Sequence, residues 1–136
     1  MRAEYRFLRT RKGEQGPTTS FARVGLLAEP AEAWSVEIEP SLGRAADEYG
    51  SALRQGIMMA ATTHEGLGGG AHRMTVDLLV ETIVDTTPDA VLCAAAAAAW
   101  TSLGRDVSDV VFAAGVNGWE VTFVMPAVSQ RALVPR

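Results

Sequence analysis

Cysteine occurs once, at Cys93, so no internal disulfide can staple this chain, and a cytoplasmic setting is the expectation. Long apolar runs are missing as well. The longest, Ala90 to Trp100, falls well short of the ~20 residues that a membrane-spanning helix needs, so no membrane association is expected. The N-terminal MRAEYRFLRTRKGEQG has scattered charge and no apolar stretch, which does not read as a secretory signal. Neither a GxxxxGK phosphate cradle followed by Ser or Thr nor a Ser-His-Asp pattern occurs. No nucleotide, no cofactor and no catalytic residue is therefore expected. Metal ligands are scarce too. HEGLG begins like a zinc-helix motif, but Gly68 stands where the second histidine is needed. His64 and His72 flank a glycine turn without a third ligand, so no metal is expected and both read as exposed loop residues.

What remains is a globular composition, 48% hydrophobic and 21% charged over 136 residues, enough for one domain with a real core. The expected domain fills 1–136, with its core at about 4–126 and a frayed tail at 127–136 whose LVPR end resembles a tag remnant. The net charge of -4 hides an asymmetry. Residues 1–23 carry Arg2, Arg6, Arg9, Arg11, Lys12 and Arg23 against only Glu4 and Glu14. Everything after them is acidic on balance. Arg6, Arg9, Arg11, Lys12 and Arg23 are thus candidate RNA-binding residues, weighed against a merely solvated strand and turn.

Periodicity supplies the elements. Tyr5 to Arg9 reads as a short strand, RKGEQGPTT as a turn, and Phe21 to Glu29 as a strand with Ala22, Val24, Leu26 and Ala28 on one face. Trp34, Val36 and Ile38 alternate with polar residues as a half-buried strand. Ala46, Tyr49, Leu53, Ile57 and Ala60 then form the stripe of an amphipathic helix over about 44–63, and Gly56 inside it predicts close approach of another backbone. EGLGGG ends that helix. Period two returns over His72 to Asp85, with Met74, Val76, Leu78, Val80 and Val84 facing one way and Leu79 and Ile83 as exceptions. Thr87 is suited to cap a following helix, with Pro88 at its first position and Asp89 at the positive end of the dipole. The six alanines Ala94 to Ala99 would be the close-packed part of that helix, Trp100 supplying the bulk and Cys93 a buried small hydrophobe. Val110 to Ala114 and Trp119 to Met125 complete a hairpin signalled by Asn117-Gly118. The order is β-β-β-α-β-α-β-β, an α+β class with the helices on one side.

Taken in order, FARVGLLAEP (Phe21 to Pro30), EYGSALRQGI (Glu48 to Ile57), the glycine turn, MTVDLLVETIVDTTPDA and the alanine helix resemble domain IV of translation elongation factor G and its ribosomal-protection relatives. Gly56-Ile57 is similar to that family's helix-internal Gly-Ile, and Val84-Asp85-Thr86-Thr87 to its "vDSS" helix start. The resemblance covers roughly 4–126. It implies the fold of the second domain of small-subunit ribosomal protein five: a four-stranded sheet backed by two helices, with a left-handed crossover. It implies the ribosome or RNA as partner. By analogy Arg44, Asp85, Thr86 and Thr87 occupy the tip loops. Those tips are shortened here, since "GsyHp" has no counterpart and LGRAADEY replaces the other tip element. A homo-oligomer or protein-interaction module is the competing reading, and a small-molecule site at Gly66 to Gly70 the third.

Overall fold

A computed structural model of the chain describes residues 1–124. The expected tail at 127–136, like Met125 at the end of the last expected strand, lies outside the described residues. Strand β1 runs Arg2–Gly13 and β2 Gly16–Pro30, antiparallel along their whole length. Gly13 stands opposite Gly16, so only Glu14 and Gln15 make the turn. Gly16 takes φ +107°, a conformation that favours glycine. The Gly-Pro-Thr stretch expected as a turn is therefore ladder: its cross-strand bonds to β1 outweigh its local turn preference. Strand β3 (Ser35–Ile38) and helix α1 (Arg44–Gly66) follow, then β4 (His72–Val80) and helix α2 (Pro88–Ser102). β5 (Val110–Gly115) and β6 (Gly118–Phe123) form a separate hairpin. Its connecting residues are Val116 and Asn117, with Gly118 at φ +123°, one position beyond the expected Asn-Gly centre.

The sheet order is β1-β2-β4-β3, with β3 parallel to β4 across α1 and the other pairs antiparallel. The architecture is α+β, a mixed four-stranded sheet with two helices on one face and a C-terminal hairpin. Ala22, Val24, Leu26 and Ala28 all face the core, as their alternation predicts. β4 is shorter than its pattern suggests and changes face midway. Leu26 pairs with Val76 but Gly25 pairs with Leu78, so Asp77 is an extra residue in a β-bulge. Beyond it Leu79 lies opposite Val24 and packs against the core, while Val80 lies opposite Arg23 and is exposed. The bulge explains why Leu79 breaks the alternation. Val84, expected on the core face, lies beyond the strand and is 86% exposed.

α2 is the centre of the second layer. It packs on β1, β2, α1 and the β5–β6 hairpin, and Ala94 to Ala99 are all fully buried. Trp100, also fully buried, donates its indole N–H to the Asp106 carbonyl at 3.0 Å and packs on Phe123. The hairpin closes over β1, with Phe112 against Tyr5 and Phe7, and Trp119 edge-on to Phe7. The helix start departs from expectation. Thr87 has extended backbone at the N-cap position but makes no side-chain cap bond; its hydroxyl donates to the Asp89 carboxylate. Asp89 in turn accepts the Trp119 backbone N–H at 2.7 Å, so it ties the hairpin to the helix.

Candidate nucleic-acid interface

The two faces of β1 sort the candidate cations. Side chains alternate across a strand, and Ala3, Tyr5 and Phe7 point toward the helices. Arg9 and Arg11 share their parity and lie on that same side. The Arg9 guanidinium sits over the Phe7 and Phe112 rings, 5.4 and 5.2 Å from their centroids, and donates to the Tyr5 hydroxyl. Arg11 donates to the Gly115 carbonyl at 3.2 Å. Both clamp the hairpin to the sheet. Arg6, Lys12 and Arg23 lie on the opposite, open face. The five candidates therefore divide three to two across the sheet and do not form one stripe.

On the open face an ion chain crosses β2. Arg2, outside the candidate set, reaches from β1 to Asp77 of β4 with two bonds of 2.9 and 2.8 Å. It can do so because Gly25 lies beneath it: a Cβ there would stand 2.7 Å from the Arg2 guanidinium and 3.0 Å from Leu78 Cβ. Arg2 also pairs with Glu4, and Glu4 pairs with Arg23. Arg2 and Arg23 hold the Glu4 carboxyl below its ordinary range. These exposed pairs contribute little individually, but they neutralise Arg23 in part. Among the described residues Arg6 and Lys12 have no ion-pair partner. Arg6 lies over the half-buried Phe21 ring, 5.7 Å from its centroid.

The tip residues serve mostly as an anchor. Thr86 is 7% exposed, donates its hydroxyl to the Phe21 carbonyl at 2.7 Å, and accepts the Thr82 N–H at 2.8 Å. Its own carbonyl accepts from the Tyr49 hydroxyl, and the Asp85 carbonyl accepts the Phe21 N–H. Thr87 is bound to Asp89, as above. Arg44 remains exposed at the start of α1 and lines one concavity with Thr82 and Ile83. The residues at the apex are Ile83 and Val84, which are not in the expected tip set; Ile83 is fully exposed.

The remaining chemistry-bearing residues have structural placements. Cys93 is fully buried, and burial pushes its thiol up to about 12, which leaves it unreactive. The glycine turn ends α1, with Gly68 at φ +88°; a Cβ on Gly69 would collide with the His64 ring, while Gly66, Gly68 and Gly70 are exposed. His64 is not the exposed loop residue expected; it is 7% exposed. Its Nδ1 accepts from Arg105 Nε at 3.0 Å, and its ring packs against Trp34 and His72. No group of three or more metal-ligating side chains occurs among the described residues.

Burial first, and then Arg105 and His72, push the His64 imidazole below its ordinary value. The folded protein holds it neutral, while the unfolded imidazole takes up a proton near pH ~6.5. Stability from this site is therefore complete above about pH 6.5 and is lost as pH falls from there through the lowered folded value. Thermal melts from about pH 5 to 7.5 should show a decline on the acid side, and His64→Gln, which keeps an acceptor for Arg105, should flatten it. Equal slopes in both proteins would place the titration elsewhere.

No helix among the described residues is long and apolar enough to cross a membrane. No protein-family model matches the chain, and no curated protein matches it. Among solved structures it is similar to a crystal structure of a Thermus thermophilus protein, at 20% identity and a TM-score of 0.50. That likeness covers 76% of this chain but 16% of the other, so what the two share is a fold, carried in the Thermus protein by a small part of its length.

Proposed function

We propose that this chain is a non-catalytic, translation-factor-like domain that associates with RNA, in the setting of the cytoplasmic ribosome, through the open face of its sheet. The observation that carries this reading is the placement on that face of Arg6, beside Phe21 and opposite Arg23, and of Lys12, opposite Pro17 near the β1–β2 turn, both without carboxylate partners among the described residues. The collinear resemblance to elongation factor G domain IV supports it. No nucleotide and no metal takes part. With three cations on one face, the slope of log affinity against log salt should be roughly -2 for single-stranded RNA, from ~0.7 per phosphate. The acidic remainder of the chain opposes binding, so affinity should be weak at physiological salt.

Filter retention of single-stranded RNA at low salt tests this. Arg6→Glu with Lys12→Glu should abolish retention and barely move the thermal melt, since neither side chain packs in the core. Arg9→Glu or Arg11→Glu should instead lower the melt, because both hold the hairpin. Undiminished binding by the open-face double variant, or no wild-type retention at low salt, would defeat the reading.

A second reading, an interaction or oligomerisation module, is favoured by Ile83 and Val84, 103% and 86% exposed at the tip, and by exposed Leu8 and Val80 on the open face. Sedimentation of wild type beside Ile83→Ser/Val84→Ser distinguishes it: a self-association lost in the variant supports this module over the RNA reading.

A further inference from the structure

Where the β1–β2 turn, the start of α2 and the start of β6 meet, they enclose a pocket of about 320 Å³. That volume is at the lower end of the range for small-ligand sites. Arg11 and Ser20 come from the helix-facing side of the β1–β2 hairpin, Thr87 and Asp89 from the start of α2, and Trp119 from β6. The pocket is therefore on the opposite side of the sheet from the proposed RNA surface, and it stands independently of that reading.

Its polar groups are short of acceptors. The Trp119 indole Nε1 is buried without a partner. Ser20 beside it is 7% exposed. Buried polar groups are satisfied in the great majority of cases, so an orphaned indole N–H on a residue that lines this pocket calls for an explanation. Arg11 donates one bond, from Nη1 to Gly115, and forms no ion pair among the described residues, which leaves most of its guanidinium donors unused. α2 begins here, and its N-cap residue makes no side-chain bond to the first-turn N–H groups, so the positive end of the helix adds to the same field. The one carboxylate in the lining, Asp89, has both oxygens engaged, one by Thr87 and the other by the Trp119 backbone N–H. It offers the pocket no ready acceptor, though its charge moderates the attraction for an anion.

We propose that this pocket binds the phosphate group of a small ligand. The donors reach it from three different strands, and a tetrahedral oxyanion presents acceptors in three directions, where those of a carboxylate lie in one plane. Arg11 supplies the charge-assisted bonds, and Ser20 and the Trp119 indole complete the set. With Asp89 alongside, affinity for inorganic phosphate should be in the millimolar range.

The indole N–H resonances of Trp34, Trp100 and Trp119 provide the readout. Titration of the intact protein with sodium phosphate, at constant pH and ionic strength, should move the Trp119 signal saturably and leave the other two in place. Arg11→Gln should weaken the response about tenfold or more, as loss of a charge-assisted bond would. If that variant does not fold, Ser20→Ala should still weaken it severalfold. A 5′-phosphorylated trinucleotide that competes at the Trp119 signal, where its unphosphorylated form does not, would assign the site to a nucleic-acid end; binding of phosphate without such competition would assign it to a free phosphate. No saturable shift in the wild type, an equal shift with chloride, an acetate midpoint equal to that of phosphate, or a folded Arg11→Gln with undiminished binding would each overturn the proposal.

Discussion

Gly56→Ala should destabilise the protein by about 1–2 kcal/mol and Gly56→Leu by about 3 kcal/mol or more, against the usual sign for a helix interior. Replacing an unhindered helical glycine by alanine gains up to ~1 kcal/mol, because alanine loses less backbone entropy and has the better propensity. At Gly56 the new Cβ would stand inside contact distance of the Leu92 carbonyl oxygen and 3.0 Å from both Ala95 Cβ and the Ala96 amide nitrogen. None of these is the end of a flexible side chain. Two are backbone atoms of α2, so relief requires α1 and α2 to separate, and with them the packing along their whole contact. Overpacking of ~1–3 kcal/mol therefore outweighs the propensity gain. Gly50, on the same helix, provides the control. A Cβ there meets only Ile38 Cδ1 at 3.7 Å, an ordinary contact. Gly50→Ala should raise the urea midpoint and Gly56→Ala should lower it. If both raise it, the two helices are not in close backbone contact.

That contact is legible in the sequence, because one glycine in a periodic helix and a run of alanines in the next point to the same close approach. The β-bulge is only half legible. Leu79 breaks the alternation of β4, but nothing local marks Asp77 as the extra residue; Gly25, across the strand, leaves the room that lets Arg2 reach Asp77. The reach of β1 and β2 is hidden for a related reason. Gly16, Pro17 and Thr18 have turn chemistry, and long-range pairing with Gly13, Lys12 and Arg11 overrides it.

The candidate interface differs from both. Period two already places Arg9 and Arg11 with Tyr5 and Phe7, so their absence from the open face follows from spacing alone. Neighbours in sequence point to opposite faces of a strand, and a basic run is not a basic stripe. Ser20 and Trp119 carry no such signal. Their shared cavity depends on the hairpin folding back across β1, where Arg11 holds it through Gly115 and Asp89, expected merely to favour the helix dipole, holds it through Trp119.

Leucine substitution along Ala94 to Ala99 should be destabilising at every position, by ~1–3 kcal/mol each. A helix packed on one neighbour would tolerate leucine on its outer face, and the sequence supports only that one-sided expectation. α2, however, has the sheet beneath it, α1 on one flank and the β5–β6 hairpin packed against it as well, and all six alanines are fully buried. No outer face remains. The cost should be greatest at Ala95 and Ala96, which lie against Gly56 and where leucine must displace α1 itself. The hairpin side should yield more readily, because β5 and β6 form a separate two-stranded unit that can lift from the helix. Chemical denaturation of the six variants, with exposed Ala114→Leu as a reference that should change by less than about 0.5 kcal/mol, measures this. Unchanged midpoints at two or more of the six positions would mean that α2 has an open side. The run of small residues would then reflect helix propensity alone, and not a helix enclosed by its neighbours.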